Sequence, residues 1–430
     1  MTTSAATKTA EQPYRASHRV QRVVSPGGIE AWLVEEHAVP LVALEFAFLG
    51  GTTQDAPGKG GTATMLAGLL DEGAGPHDSA AFQQMLADRA IELHFFADRD
   101  SLRGSLKTLR RHADEAFDLL RLAVNEPRFD ADAIARVRAQ VEAGLRHVLK
   151  DPDAVAREQF FRHAFPDHPY GRPPQGTLAE VPAIAREDLV AMHRATMARS
   201  NLFVAAVGAI DGATLAARLD DIFGTLPATA GIAQPAEVVP ATADAPVVVD
   251  IDVPQSVIRF GGPGIARLDD DYLPAYVLNH ILGGGSFTSR LFQEVREKRG
   301  LAYSVHTSLL PLRSSALFGG STATKNERAA ESLSVIRAEI ADLLAKGPSE
   351  DELAKARQFL IGSYALHFDT SAKIARQLLQ ISMDGLGIDY IDRRNDLVAA
   401  VTMADVRRAA ERLFADNRML VVAAGRPEGL

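Results

Sequence analysis

The segment Gly283–Leu309, "GGGSFTSRLFQEVREKRGLAYSVHTSL", decides the fold of this chain. Its three glycines predict a break after the apolar helix "LPAYVLNHIL", because glycine is a poor helix former. The next stretch, "SRLFQEVREKRG", predicts an amphipathic helix with Leu291, Phe292 and Val295 on its apolar stripe, and Gly300 is a typical helix stop. The residues "LAYSVHTSL" then predict a β-strand.

The first half of the chain shows a similar succession of strands and helices. "GGIEAWLVEE" and "PLVALEFAFLGG" predict two short strands. Long amphipathic helices are predicted over "ADEAFDLLRLAVNEP" and "DADAIARVRAQVEAGLRHVLKDP". This order of elements predicts an α+β fold, in which each domain has a mostly antiparallel or mixed sheet with helices packed on one face.

Two distant segments share one pattern, which indicates an internal repeat. Glu187–Gly208 and Ala404–Gly425 each combine an amphipathic helix with an apolar strand that ends in glycine. The alternative is that two helix–strand patterns resemble each other by chance. A stretch rich in proline, alanine and threonine lies between them and predicts an extended linker. We therefore expect two homologous domains, residues 20–226 and 247–430, joined through residues 227–246.

The composition excludes several classes of protein. The chain has 430 residues, a formal charge of −9 and no run rich in lysine or arginine, which argues against a nucleic-acid partner. It has no cysteine, so disulfides, thiolate metal sites and a cysteine nucleophile are excluded. No apolar run is long enough to span a bilayer, and the N-terminal residues, which lack an apolar stretch, predict no signal peptide. The compartment stays open between periplasm and cytoplasm.

The stretch Gly283–Val305 is highly characteristic of the pitrilysin-like, or M16, metallopeptidases. In the first half, "FLGGTTQDAPGKGGTATMLAGLLDEG", "PDHPYGRPPQGT" and "SNLFVAAVG" also resemble that family in order and spacing. The resemblance extends from about Val23 to Pro427. It implies two homologous α/β domains joined by a linker, which agrees with the repeat.

Active members of this family carry an H-x-x-E-H helix, in which two histidines bind zinc and the glutamate activates a water. The resemblance places Thr64 and Gly68 at the histidine positions, Ala67 at the glutamate position, and Gly144 at a third ligand on a later helix. Catalytic zinc needs three side-chain donors. We therefore expect no metal and no cofactor in this chain, and a stand-alone zinc peptidase is contradicted. The 12 histidines suggest no other site, because none is paired convincingly with a carboxylate on a helix.

The second half keeps a different part of the family's machinery. The resemblance implies that Arg296 and Tyr303 approach the zinc site from the opposite domain and stabilise the oxyanion formed from the substrate peptide. It also implies that Gly283, Gly284 and Gly285 contact the peptide, since glycine allows a close backbone approach. The alternative is that Arg296 is a surface charge and Tyr303 a packed aromatic of the strand.

Bacterial relatives include heterodimers in which one subunit carries zinc and the other the arginine–tyrosine pair. The resemblance therefore implies a non-zinc-binding subunit of a heteromeric M16B zinc metallopeptidase, contributing substrate binding and oxyanion stabilisation in trans. Its partners would be peptide substrates and a zinc-carrying M16B subunit with the H-x-x-E-H motif. The alternative is a catalytically inactive scaffold or peptide-binding homologue, as in respiratory complexes. Retention of the arginine–tyrosine pair favours the peptidase subunit over the scaffold.

Overall fold

The computed structural model describes residues 16–416 and 418–430, and within them the helices and strands form two halves. In the first half the elements are β1 (Val20–Val24), β2 (Glu30–Glu35), β3 (Leu41–Leu49), α1 (Thr62–Ala67), α2 (Ser79–Asp88), β4 (Glu92–Ala97), β5 (Ser101–Leu109), α3 (Ala113–Asn125), α4 (Ala131–Val148), α5 (Pro152–Ala164), α6 (Arg186–Thr196), β6 (Leu202–Gly208) and α7 (Gly212–Phe223). In the second half they are β7 (Val247–Asp250), β8 (Gln255–Pro263), α8 (Tyr272–Asn279), β9 (Ala302–Leu312), β10 (Ser315–Lys325), α9 (Ala329–Lys346), α10 (Glu350–Tyr364), α11 (Ser371–Met383), α12 (Tyr390–Ala400), α13 (Met403–Phe414) and β11 (Leu420–Gly425).

The two halves each contain one mixed sheet, and the five strands of the second sheet repeat the topology of β2 to β6 in the first, where β1 is an additional edge strand. The first has the strand order β1-β2-β6-β3-β5-β4 and the second β7-β11-β8-β10-β9. Strands β2 and β6 are parallel, as are β7 and β11, whereas the other neighbours are antiparallel. The repeated segments thus end in β6 and β11, which occupy equivalent positions. The α+β prediction is confirmed.

Strand β3 is buried along nearly its whole length because both faces of the first sheet are covered. On one face Leu44, Phe46 and Phe48 pack into the core made with the helices of the same half. On the other face Ala47 packs against a helix that comes from the second half. The apolar strand predicted from the sequence is therefore a central strand.

The two halves exchange one helix each. Helix α5 of the first half packs on β8 and β11 of the second sheet, and α11 of the second half packs on β3 and β6 of the first. Phe160 and Phe161 of α5 share a hydrophobic cluster with Val422 of β11, while Leu378 of α11 joins the cluster around Ala205. Helices of the same half cover one face of each sheet, as predicted, and the exchanged helix covers the other.

The segment between the halves has no helix or strand from residue 227 to residue 246. It is held by backbone bonds, in which Val238 N donates to Ser314 O at 2.9 Å and Ala241 N donates to Ala164 O at 2.8 Å. The predicted domain bounds at residues 226 and 247 stay a prediction, because α5 and α11 each pack on the sheet of the half to which they do not belong in sequence. The first fifteen residues, in which no signal peptide is predicted, lie outside the described residues. Within the described residues, none of the helices is both long and apolar enough to cross a membrane.

Candidate functional site

The segment that carries Arg296 is a helix wound more widely than an α-helix. Over Phe292–Glu297 it is π-helical, and Lys298 N donates to Gln293 O five residues earlier, at 2.9 Å. Its predicted apolar stripe, which contains Phe292 and Val295, is buried. Gly300 has a φ of +59°, so it ends the helix in a conformation that favours glycine. The chain then turns directly into β9.

This turn brings Arg296 and Tyr303 together. The guanidinium carbon of Arg296 lies 4.9 Å from the centroid of the Tyr303 ring and 4.7 Å from the centroid of the Phe292 ring. The cation is thus held between two aromatic faces, each of which attracts it electrostatically. The predicted convergence of one helical and one strand residue is present in the fold, and their chemical roles stay a prediction.

The polar ends of both side chains are available to a ligand. Tyr303 is 83% exposed, and its hydroxyl has no hydrogen-bond partner among the residues that the structure describes. Arg296 makes one long ion pair, with its Nε 3.8 Å from Glu297 Oε1, and no hydrogen bond within the same residues. Stacking therefore orients the guanidinium while leaving its N–H groups unused.

Phe287 extends this arrangement, and the sequence alone gave no reason to single it out. Its ring packs edge-on against Phe292 with centroids 5.0 Å apart, yet it is 69% exposed. We call Phe287, Phe292, Arg296 and Tyr303 the aromatic–arginine cluster. The arginine lies between buried Phe292 and exposed Tyr303, and exposed Phe287 packs on Phe292 beside them. Exposed aromatic residues beside a cation are typical of protein-binding surfaces.

Arg290 fixes the start of the Arg296 segment. Its Nε and Nη2 donate to the two carboxylate oxygens of Glu352 at 2.6 and 2.9 Å, a bidentate pair. This guanidinium lowers the pKa of Glu352 to about 2. Glu352 also accepts from Ser349 N at 2.7 Å and so completes the N-terminal cap of α10. The segment is therefore anchored to a helix end that has no part in the cluster.

The three glycines before this segment pack against their own half. A Cβ at Gly283 would lie 2.5 Å from Thr307 Oγ1 on β9, and one at Gly284 would lie 2.6 Å from Asn279 Nδ2. A Cβ at Gly285 would lie 2.6 Å from the carbonyl oxygen of His280. Internal packing thus already requires glycine at these positions. Contact of the three with a substrate peptide stays a prediction.

Helix α1 lies in the first half, where it contacts α4, α6 and β4. Thr64 donates its hydroxyl to the carbonyl oxygen of Pro174 at 2.7 Å, and Ala67 is buried. A Cβ at Gly68 would lie 3.3 Å from Val137 of α4, so neighbouring side chains fill the space that a histidine would need. Gly144 lies exposed on α4, with no neighbouring heavy atom within 4 Å of a Cβ placed there.

These residues do not fit a zinc ion. Thr64 uses its hydroxyl internally, and alanine and glycine have no donor atom. Across residues 16–416 and 418–430, no group of three or more histidine, aspartate or glutamate side chains is arranged to hold a metal. This is consistent with a chain that carries no zinc of its own.

Two models of one protein family match this chain. A family model described as peptidase M16 inactive domain matches residues 183–360, and one described as insulinase (peptidase family M16) matches residues 33–178. Together the two models cover most of the chain, and the chain belongs to the M16 peptidase family.

Individual relatives match most of this chain and most of their own length. A crystal structure of a peptidase M16 inactive domain from Pseudomonas fluorescens is 28% identical, has a TM-score of 0.89, and covers 95% of this chain and 98% of its own. The non-peptidase homolog YmxG of Helicobacter pylori is 26% identical over 83% of this chain and 82% of its own length. An uncharacterized zinc protease of Streptomyces coelicolor is 26% identical over 91% of this chain and 86% of its own length. The chain is an M16 member of the inactive type.

Proposed function

We propose that this chain is the non-zinc-binding subunit of a heteromeric M16 metallopeptidase and supplies Arg296 and Tyr303 to a zinc-carrying partner. The observation that carries this proposal is that the Arg296 guanidinium is stacked on Tyr303 while its N–H groups and the exposed phenol make no hydrogen bonds within the described residues. A purely structural arginine would be expected to pair these donors with carbonyl or carboxylate oxygens.

The chemistry follows from the two donors. When water attacks a peptide carbonyl, negative charge develops on its oxygen, and donors held ready at that point lower the barrier. The Tyr303 hydroxyl donates one hydrogen bond, and the Arg296 guanidinium adds positive charge and further N–H donors. Zinc and the general base belong to the partner, because residues 64, 67, 68 and 144 of this chain cannot supply them.

The surroundings of the pair suit a site built at a subunit interface. Phe287 and Tyr303 would expose apolar rings to water in an isolated chain. A partner that covers the aromatic–arginine cluster would bury these rings and remove water from the donors, and a lower local dielectric strengthens their interaction with an oxyanion. Arg290 and Glu352 keep the segment in place without occupying the cluster.

The test is reconstitution with an M16 chain from the same organism that carries H-x-x-E-H. We expect peptidase activity only from the pair, and no stoichiometric zinc in this chain alone. Tyr303→Phe should lower kcat of the pair by roughly 100- to 1000-fold, because it removes one donor to the oxyanion. Subunit association should change little. Activity within about twofold of wild type would contradict the proposal.

A second candidate is an inactive scaffold or peptide-binding homologue. The similarity to a protein named a non-peptidase homolog favours it. A scaffold has no need of a free phenol beside an arginine. The peptidase activity of the reconstituted pair with Tyr303→Phe therefore separates the two candidates. If the assembly has zinc-dependent peptidase activity and Tyr303→Phe does not change that activity, the scaffold candidate is supported.

A further inference from the structure

An open cavity of about 850 Å³ lies between the two halves, away from the residues discussed so far. The first half contributes the end of β3 and the β4–β5 turn, and the second half contributes α8, the end of α10, α11 and α12. Its wall combines aliphatic side chains with four tyrosines and several arginines. This size and this mixture of apolar and polar groups are typical of sites for small ligands.

Arg394 of α12 is the exceptional group in this wall. It is only 6% exposed, yet no carboxylate of the described residues lies within 4.0 Å of its guanidinium. Nη1 donates to Leu360 O at 2.6 Å and to Asn395 Oδ1 at 3.0 Å, whereas Nε and Nη2 have no partner among the described residues. A buried charge without a counter-ion is costly, so an anion supplied from outside would be favoured here.

Tyrosines surround this guanidinium. Its carbon lies 4.5 Å from the ring centroid of Tyr364 and 5.7 Å from that of Tyr276. The hydroxyls of Tyr272, Tyr276 and Tyr364 have no hydrogen-bond partner in the part of the chain that the structure describes. Burial raises the pKa of Tyr272 and of Tyr364 to about 12, which keeps these two phenols protonated. The hydroxyls of Tyr276 and Tyr364 are therefore unused hydrogen-bond donors beside the Arg394 cation, and Tyr272, which stacks on Arg267, lies in the same wall.

The neighbouring charges do not by themselves define the kind of anion. Arg267 is already paired with Asp384 at 3.3 Å, and Arg103 is paired with Asp98 at 3.1 Å. Arg99 and Arg313, in the β4–β5 and β9–β10 turns of the same wall, also have no ion pair within the described residues, so the kind of anion follows from the geometry at Arg394 and not from the net charge of the cavity. A planar guanidinium fits the two oxygens of a carboxylate. The aliphatic and aromatic wall suits an apolar group attached to that carboxylate.

We propose that this cavity binds a carboxylate attached to an apolar or aromatic group, with the carboxylate on Arg394 and the tyrosine hydroxyls. Two sources share this chemistry: the C-terminus of a peptide and a small free carboxylic acid. In both cases the carboxylate replaces the missing counter-ion, and the apolar group occupies space between the halves. Because ligand contacts would come from both halves, binding should stabilise the folded chain.

The test is calorimetric titration of the full chain with four probes: N-acetylphenylalanine, its amide, a pentapeptide ending in phenylalanine with a free carboxylate, and the same peptide amidated. The free acids should bind at least 10-fold more tightly than the amides and should raise Tm. A pentapeptide acid that binds more tightly than N-acetylphenylalanine would assign a peptide C-terminus. Equal affinity of the two acids would assign a small carboxylic acid.

Three variants test whether the acids bind through Arg394 and Tyr364 and not elsewhere on the chain. Arg394→Met should weaken binding of the acids roughly 10- to 100-fold, because it removes a charge-assisted pair. Tyr364→Phe keeps the ring and should weaken binding about 3- to 10-fold, which decides the matter if Arg394→Met does not fold. Arg393→Ala, on the exposed side of the same helix, is the matched control and should bind as wild type. Acids that bind no better than amides, or that bind equally to wild type and Tyr364→Phe, would overturn the proposal.

Discussion

The hydroxyl of Tyr170, which is fully buried, donates a 2.7 Å hydrogen bond to Asp100 Oδ1 and accepts one of 3.0 Å from Ser314 N. Asp100 lies in the β4–β5 turn of the first half, and Ser314 lies in the β9–β10 turn of the second. The other carboxylate oxygen of Asp100 accepts from Arg313 N at 3.0 Å. One phenol thus joins the equivalent hairpin turns of the two halves.

We expect Tyr170→Phe to lower the free energy of unfolding by about 1–3 kcal/mol, because the buried Ser314 amide loses its partner and the half-buried Asp100 loses one of its two. Denaturant unfolding measures this change. Tyr303→Phe, which removes an exposed phenol, is the matched control and should stay within about 0.5 kcal/mol of wild type. Equal stability of Tyr170→Phe and wild type would show that the bridge is unimportant.

Arg296 is expected to act by its charge and its N–H groups together. In the reconstituted pair, Arg296→Ala should lower kcat by roughly 100-fold or more and raise KM if the guanidinium also holds the ground-state peptide. Arg296→Lys should recover only part of the activity, because an ammonium lacks the planar set of donors. The control is Arg299→Ala in the same segment, since Arg299 bonds to Glu294 instead of stacking on Tyr303. A loss of equal size in that control would remove the argument for a specific role.

Gly144 allows a prediction about stability that is independent of function. It lies exposed within α4, and a Cβ there would meet nothing within 4 Å, so Gly144→Ala should stabilise the chain by about 0.5–1 kcal/mol. Gly104→Ala is the opposing control, because its Cβ would lie 2.1 Å from Cζ of Phe46. Thermal unfolding of both variants checks the prediction. If Gly144→Ala were destabilising, a contact that the fold does not show would have to exist at that position.

The pair of Arg290 and Glu352 predicts a dependence of stability on pH. The folded-state pKa of Glu352 is about 2, below its ordinary value of 4.5, so its contribution is present above pH 4.5 and is lost as the pH falls towards 2. Glu352→Gln should therefore destabilise the chain at pH 6 and approach wild-type stability near pH 2. Unfolding measured at both pH values tests this, with Glu350→Gln at the start of the same helix as control. An equal deficit at both values would exclude the ion pair as the cause.

Local sequence patterns predicted the elements of the site well. The helix, the stop at Gly300 and the strand after it follow from an apolar stripe and a positive φ, both of which are encoded within a few residues. The π-helical winding was not predictable, since the apolar stripe alone does not distinguish it from an α-helix. The exposure of Phe287 was also not predictable from the sequence, because burial of a side chain depends on which parts of the folded chain pack over it.

What the sequence by itself determined is the chemistry that this chain lacks. Alanine and glycine at residues 67, 68 and 144 have no side-chain donor atom in any conformation, and a single threonine hydroxyl at residue 64 cannot replace the three donors that catalytic zinc needs. Only the tertiary structure decided the exchange of α5 and α11 between the sheets and the isolation of Arg394 from every described carboxylate. Amphipathic periodicity shows that a helix has an apolar face, but the surface covered by that face, and the charges left unpaired beside it, depend on contacts between residues far apart in the chain.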